Sequence, residues 1–311
     1  MQQAIVADRD RVRRFIFENR PVRGHWVRLE SAWQELHAHA DYPRAVTELL
    51  GEAVVASVLL AATLKFRGTL TFQLQGKGAV SLLVAQCTHD FRVRAMASCE
   101  AATVHTLSAG PRVALFRQLV GTDGRITVTV EAEEKSLRYQ GIVPLGGSSL
   151  GESLEAYFAS SEQLPTRVRL VADENHGAGM LVQKLPAAGA DDSEEVAEAW
   201  ALAQRGIARL DPAALRHGRL EDVLARGFPG HDLRLFRGAP VRFVCRCSHG
   251  RVAGLLRALG ADEVRDVLKE QGSVLVTCEF CHRPYRFGPA DVEALFTDEP
   301  APGAPGSQAI H

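Results

Sequence analysis

The chain has 311 residues, 46% apolar and 23% charged, with a formal net charge of −1. This composition is too apolar for wholesale disorder, and the near-neutral charge excludes a dominant electrostatic grip on nucleic acid or an anionic membrane. Length predicts roughly two domains of about 150 residues each.

The opening MQQAIVADRD has no apolar run of the signal-peptide kind, so a cytoplasmic protein is expected. In that compartment thiols are held reduced, and clustered cysteines point to metal or redox chemistry. Residues 10–20, DRVRRFIFENR, space Val12, Phe15 and Ile16 as a helix would before Pro21. YPRAVTELLGEAVVASVLLAATLKF predicts a long buried helix, with Pro43 in its first turn. Its most apolar run, Ala53 to Leu64, is too short to cross a bilayer, which takes about 20 residues.

Strands follow. TLTFQLQG alternates strictly, with Leu70, Phe72 and Leu74 on one face. SLLVAQC, FRVRAMA, RITVTV, RYQGIVPL and TRVRLVA read as further strands, punctuated by glycine-rich turns. SLGESLEAYFASSEQL reads as a helix opened by Ser149. The glycine-rich GGSSLG before it lacks a P-loop lysine and reads as a turn, and His176 in ENHGAGM reads as a hairpin-loop residue. Strands and helices do not alternate cleanly, so the fold class is α+β.

Composition changes after Leu185. Helical spacing returns in SEEVAEAWALAQRGIARL, with Val196, Trp200, Ala203 and Ile207 on one face and Ser193 as N-cap. DPAALRHGRLEDVLARGF repeats it, with Asp211 as N-cap and Pro212 at the first helical position. Gly206, Gly218 and Gly227 are expected to break these helices, which are too short to persist without tertiary support. The predicted organisation is a mixed core over 1–190, a metastable helical linker over 191–240, a metal-binding domain over 241–298 and a disordered tail over 299–311.

The third part carries two cysteine pairs. Cys245 and Cys247 form a CxC, and Cys278 and Cys281 form a CxxC after a gap of 30 residues. Between them two helices and a short strand are expected. Four thiolates suit a closed tetrahedral zinc site, which leaves His249 and His282 beside the site. A segment this small has little core of its own, so a metal staple is expected. A bridge inside CxC would close a very small, strained ring and reduce easily. From Arg242 to Glu293, eight Lys and Arg face seven Asp and Glu, which leaves no basic patch for phosphates. A nucleic-acid zinc ribbon is therefore the weaker alternative. A CxxC thiol oxidoreductase is another, disfavoured because neither pair opens a helix in a βαβ setting.

FVCRCS, the gap and CEFCHRPYRF together resemble the zinc domain of the redox-regulated 33 kDa heat-shock chaperonin family. RRFIFENRPVRG resembles that family's N-terminal helix, AATLKFRGTLTFQLQGKG and RYQGIVPL its core strands, and YFASSEQLPTR its core helix. The resemblance implies an ATP-independent holdase that is not an enzyme. In its reduced form one zinc would be held by Cys245, Cys247, Cys278 and Cys281. It implies redox-active bridges Cys245–Cys247 and Cys278–Cys281, the latter forming first. Zinc release, linker unfolding, a homodimer of the oxidised form and binding of unfolded clients would follow, with neither nucleic acid nor membrane as partner. Two further cysteines, Cys87 and Cys99, depart from the four-cysteine pattern and are expected to be buried and inert.

Overall fold

The structure is a computed structural model and describes residues 8–106, 112–134, 138–186 and 194–297. The chain divides into two compact units, Met1–Val244 and Cys245–His311. The expected cap Ser193 and the expected disordered tail lie outside the described residues.

The N-terminal segment overturns one expectation. It forms a strand, β1 (Arg11–Phe17), where the spacing predicted a helix. Val12, Phe15 and Ile16 are β-branched or aromatic, types that pack well on a pleated surface. The chain turns near Asn19, at a left-handed φ of 57°, and returns as β2 (Val22–Leu29), with Phe15 opposite Gly24. A short helix, α1 (Ser31–His37), follows. Its free N–H groups are met by Asp10, whose carboxylate accepts from the backbone of Glu30, Ser31 and Ala32 at 2.8–3.2 Å.

The long apolar helix is α2 (Arg44–Thr63). Pro43 stands just outside it, at the N-cap with φ −54° and ψ 145°, so it ends the preceding segment instead of entering the first turn. Sixteen of the helix's 20 residues are buried, which leaves no polar face and marks a helix enclosed on all sides. It is the helix long and apolar enough to cross a membrane among the described residues, and it is the core of this unit.

The middle of the unit runs β3 (Gly68–Gln75), β4 (Val80–Thr88), β5 (Arg92–Cys99), α3 (Ala101–Thr106), α4 (Arg112–Val120), β6 (Arg125–Ala132) and β7 (Arg138–Pro144). Next comes α5 (Leu150–Tyr157), continued by a π-helical turn over Phe158–Glu162. The Ser149 hydroxyl caps α5, accepting from the Glu152 N–H at 3.2 Å, as its sequence position predicted. Two long strands, β8 (Thr166–Ala172) and β9 (Gly177–Lys184), form a hairpin whose turn holds His176.

Three helices follow: α6 (Glu194–Ala208), α7 (Pro212–His217) and α8 (Leu220–Gly227). Asp211 caps α7 and Pro212 starts it, as read. Gly206 does not break α6. It lies inside the helix because a Cβ there would sit 2.3 Å from the Phe228 ring, so the missing side chain admits an aromatic. Short strands β10 (Leu233–Leu235), β11 (Ala239–Pro240) and β12 (Arg242–Phe243) end the unit.

Two sheets result. One has the order β10-β1-β2-β9-β8, with β11 also on β1; the other has the order β12-β5-β4-β3-β6-β7. α2 packs between them. Val27, Leu29 and Leu181 of the first sheet and Leu70, Phe72 and Leu83 of the second share its core. Gly51 brings α2 close enough to the first sheet that a Cβ would meet the Ala172 methyl at 2.6 Å.

The first sheet is buried on its other face too. There Phe15, Phe17, Val22, Trp26, Val171, Ala178, Met180 and Val182 are covered by Ala203, Ile207, Leu215, Val223, Leu224 and Phe228 of the α6–α8 segment. Phe228 lies edge-on to Phe17, ring centroids 5.2 Å apart. Arg28 Nη1 donates to the Gly218 carbonyl at 2.8 Å. Trp26 is fully buried, yet its Nε1 has no hydrogen-bond partner among the described residues.

The second unit comprises α9 (His249–Leu259), α10 (Ala261–Gln271), β13 (Val274–Thr277), β14 (Pro284–Phe287) and α11 (Pro289–Thr297). Among the described residues its core cluster is nine buried residues, Val252, Leu256, Val264, Phe287 and Val292 among them. That is too little to hold so small a body by hydrophobic burial alone.

Candidate metal centre

In the second unit, two local structures present sulfur. Cys245 and Cys247 lie in the extended approach to α9, which Ser248 caps by accepting from the Arg251 N–H at 3.3 Å. The CxC pair thus leads directly into a helix. It does so from an irregular segment, with no βαβ unit around it. Cys278 and Cys281 sit in the β13–β14 turn. The turn is closed by the Cys278 N–H donating to the Arg283 carbonyl at 3.0 Å, and His282 takes a left-handed φ of 52°.

The four sulfurs lie within 4.8 Å of one another. Two sulfur contacts cross between the pairs: Cys245 Sγ to Cys278 Sγ is 3.7 Å, and Cys247 Sγ to Cys281 Sγ is 3.3 Å. A tetrahedral ion with metal–sulfur bonds of about 2.3 Å sets its ligands about 3.8 Å apart. The cluster therefore fits such an ion with only small adjustment, and four close cysteines could hold a metal. Neither His249 nor His282 joins it. His249 stacks on Phe287 instead, centroids 4.4 Å apart.

The cluster does not share protons evenly. Burial works to raise the Cys247 thiol, but the Tyr285 hydroxyl, donating to its Sγ at 3.0 Å, and the surrounding sulfurs outweigh this and bring it to about 7. Burial pushes Cys245 and Cys281 upward. The same hydrogen bond pushes Tyr285 up to about 12. A thiolate is already favoured at one corner, the form a metal or an oxidant needs.

Sequence reasoning missed Tyr285. The signal was present in PYRF: β14 pairs Val276 with Tyr285 and buries alternate residues, so Tyr285 and Phe287 point inward beside the cysteines. Tyr285→Phe is expected to make Cys247 a weaker acid. Zinc uptake by the reduced protein, followed across pH in competition with a chelator of known affinity, should show its midpoint rise by about one pH unit. An unchanged midpoint would remove Tyr285 from the account.

The remaining cysteines lie in the first unit. Cys87 is fully buried, and burial raises its thiol; Cys99 is half-buried and raised for the same reason.

A family model described as Hsp33 protein matches residues 10–288. The chain belongs to the Hsp33 family. Among its relatives, the 33 kDa chaperonin of Nitrosococcus oceani is 39% identical over 292 residues, 94% of this chain and 96% of that protein. The 33 kDa chaperonin of Chromobacterium violaceum is 40% identical over 288 residues, 92% of this chain and 94% of that protein. The crystal structure of the 33 kDa chaperonin (heat shock protein 33 homolog) of Thermotoga maritima superposes with a TM-score of 0.76 at 23% identity, covering 92% of this chain and 97% of that one. This agrees with the α+β class read from the sequence. The Hsp33 relatives are named as chaperonins, which supports the non-enzyme reading.

Proposed function

We propose that this Hsp33-family chain is a redox-switched, ATP-independent holdase, cytoplasmic, whose resting form keeps Cys245, Cys247, Cys278 and Cys281 on one zinc ion. The observation that carries the proposal is the gathering of four sulfurs from two separate segments in a unit with too small a core to stand alone. When bound, zinc would hold the sulfurs as thiolates and tie the two segments together, a contribution on the order of 10 kcal/mol to folding.

Oxidation would use the same sulfurs. A cysteine thiolate attacks peroxide and becomes a sulfenic acid, releasing hydroxide. The neighbouring thiol displaces that oxygen as water and closes a disulfide, so each bridge forms as one peroxide is reduced to two waters. Sulfurs tied in disulfides no longer offer the thiolates that the ion needs. The bridges proposed are Cys245–Cys247 and Cys278–Cys281. The cross-pair contacts do not select them, and the pairing rests on the family resemblance. With the second unit loosened, the α6–α8 segment is proposed to undock, and the oxidised chain to pair as a homodimer. Undocking would uncover Phe15, Phe17, Trp26 and Met180 as an apolar sheet face for unfolding clients.

The test follows zinc with a chromogenic chelator during peroxide treatment at elevated temperature, and assays the same samples for suppression of client aggregation. Release of about one zinc per chain, in step with the gain of holdase activity, is expected. Zinc that stays bound, or leaves without a gain in activity, would refute the proposal.

A further inference from the structure

A second cluster of metal-ligating groups lies in the first unit, where α7 meets the β8–β9 turn. Asp173, His176 and His217 bring one carboxylate oxygen and two ring nitrogens within 4.8 Å of one another. The first two residues share a tight turn, while His217 is the last residue of α7. Only docking of the helix on the sheet assembles the three.

The arrangement is held from several sides. The backbone N–H groups of Asn175 and His176 donate to Asp173 Oδ1 at 2.8 and 2.7 Å. The Asp173 carbonyl accepts from Trp33 Nε1 at 2.8 Å, which fixes the turn against α1. His176 Nδ1 lies 3.6 Å from Asp173 Oδ1. The His176 and His217 rings meet edge to face, centroids 4.6 Å apart. Arg216 pairs with Asp173 Oδ2 at 2.9 Å, and a carboxylate oxygen keeps a second lone pair beside such a contact.

Partial burial, then the neighbouring His176 and Arg216, hold His217 below its ordinary range, so its imidazole is neutral and able to ligate near pH 7. At Asp173, burial acts to raise the carboxyl, but the Asn175 and His176 N–H groups and Arg216 outweigh it, so it is held ionised. Two imidazoles and a carboxylate suit zinc, nickel or cobalt and leave open positions for water.

We propose that Asp173, His176 and His217 form a second divalent-cation site, of the zinc or nickel type, that clamps α7 to the β8–β9 turn. The site would be weaker than the four-thiol cluster, because Arg216 competes for the same carboxylate. An ion bound only when α7 is docked favours the docked state by the factor 1 + [ion]/Kd, about tenfold at ten times Kd. Free zinc would then set how readily the helical segment opens, independently of the cysteines.

Equilibrium dialysis of the reduced full-length protein against excess zinc, beside His217→Gln and Asp173→Asn, tests this. His217 is exposed, so its variant keeps the fold. The wild type is expected to bind one equivalent more than either variant. Added zinc should also slow protease cleavage within residues 209–232 about tenfold in wild type and leave His217→Gln unaffected. No extra equivalent in the wild type, or an extra equivalent retained by both variants, would overturn the site. Failure of the four-thiol reading would instead remove the tight equivalent from all three proteins and leave the difference between them intact.

Discussion

Cys278→Ser is expected to cost the reduced protein its metal affinity by orders of magnitude and to unfold the unit that begins at Cys245. A structural zinc site contributes on the order of 10–16 kcal/mol, and the ion binds thiolates that serine does not supply. The loss cannot be absorbed locally, because the unit's core cluster is only nine buried residues among those described and two of the cysteines pack directly against it. Competition with a chelator of known affinity reads the first effect, and far-ultraviolet circular dichroism reads the second. Limited proteolysis should also show faster cleavage in α6–α8 under reducing conditions. A variant with wild-type zinc affinity and wild-type protease resistance would break the proposed link between metal and helical segment.

Phe228→Ala carries the second largest expected effect, on the other side of that link. Phe228 is 2% exposed, lies against Phe15 and Phe17, and fills the space left by Gly206. Truncating a buried phenylalanine costs about 3–5 kcal/mol. Here the loss falls on the interface that docks α6–α8, which already carries the orphaned Trp26 N–H. The expected result is selective opening of residues 194–235, seen as hydrogen exchange there, while α2 keeps its protection. If an uncovered sheet face binds clients, this variant suppresses aggregation without oxidant. An open segment with no activity would place the client surface elsewhere.

How much the sequence disclosed depended on how each element is buried. β3 alternates because one face meets the core and the other is more open, and its strand was legible residue by residue. α2 was legible from sheer apolar length. β1, β2 and β9 were not, and the reason is physical. β2 and β9 are covered on one face by α2 and on the other by α6–α8, so Trp26 and Val27, on opposite faces, are both fully buried; in β1, Val12 is buried on the first face and Phe15 and Phe17 on the second, with Arg14 exposed between them. A strand buried on both faces loses its period of two, and Arg11 to Phe17 then offered an accidental helical spacing.

Gly206 misled for a related reason. A glycine that admits a neighbouring ring looks, in sequence, like one that ends a helix. The candidate site was the most legible part, because ligand type and local spacing are written side by side in CxC and CxxC. Its hydroxyl partner Tyr285 was legible only as an inward residue of the alternating PYRF, since strand register is what brings it to Cys247.

The tryptophans give the docked helices an optical signature. The chain has three, Trp26, Trp33 and Trp200. Trp33 is sealed beneath α2, but Trp26 lies fully buried under the α6–α8 segment, and Trp200 rides on that segment and packs against the same cluster. Lifting the helices would wet two indoles of three at once. Ordinary ultraviolet emission, reddening as those rings meet water, therefore times the opening of this one interface in unlabelled protein.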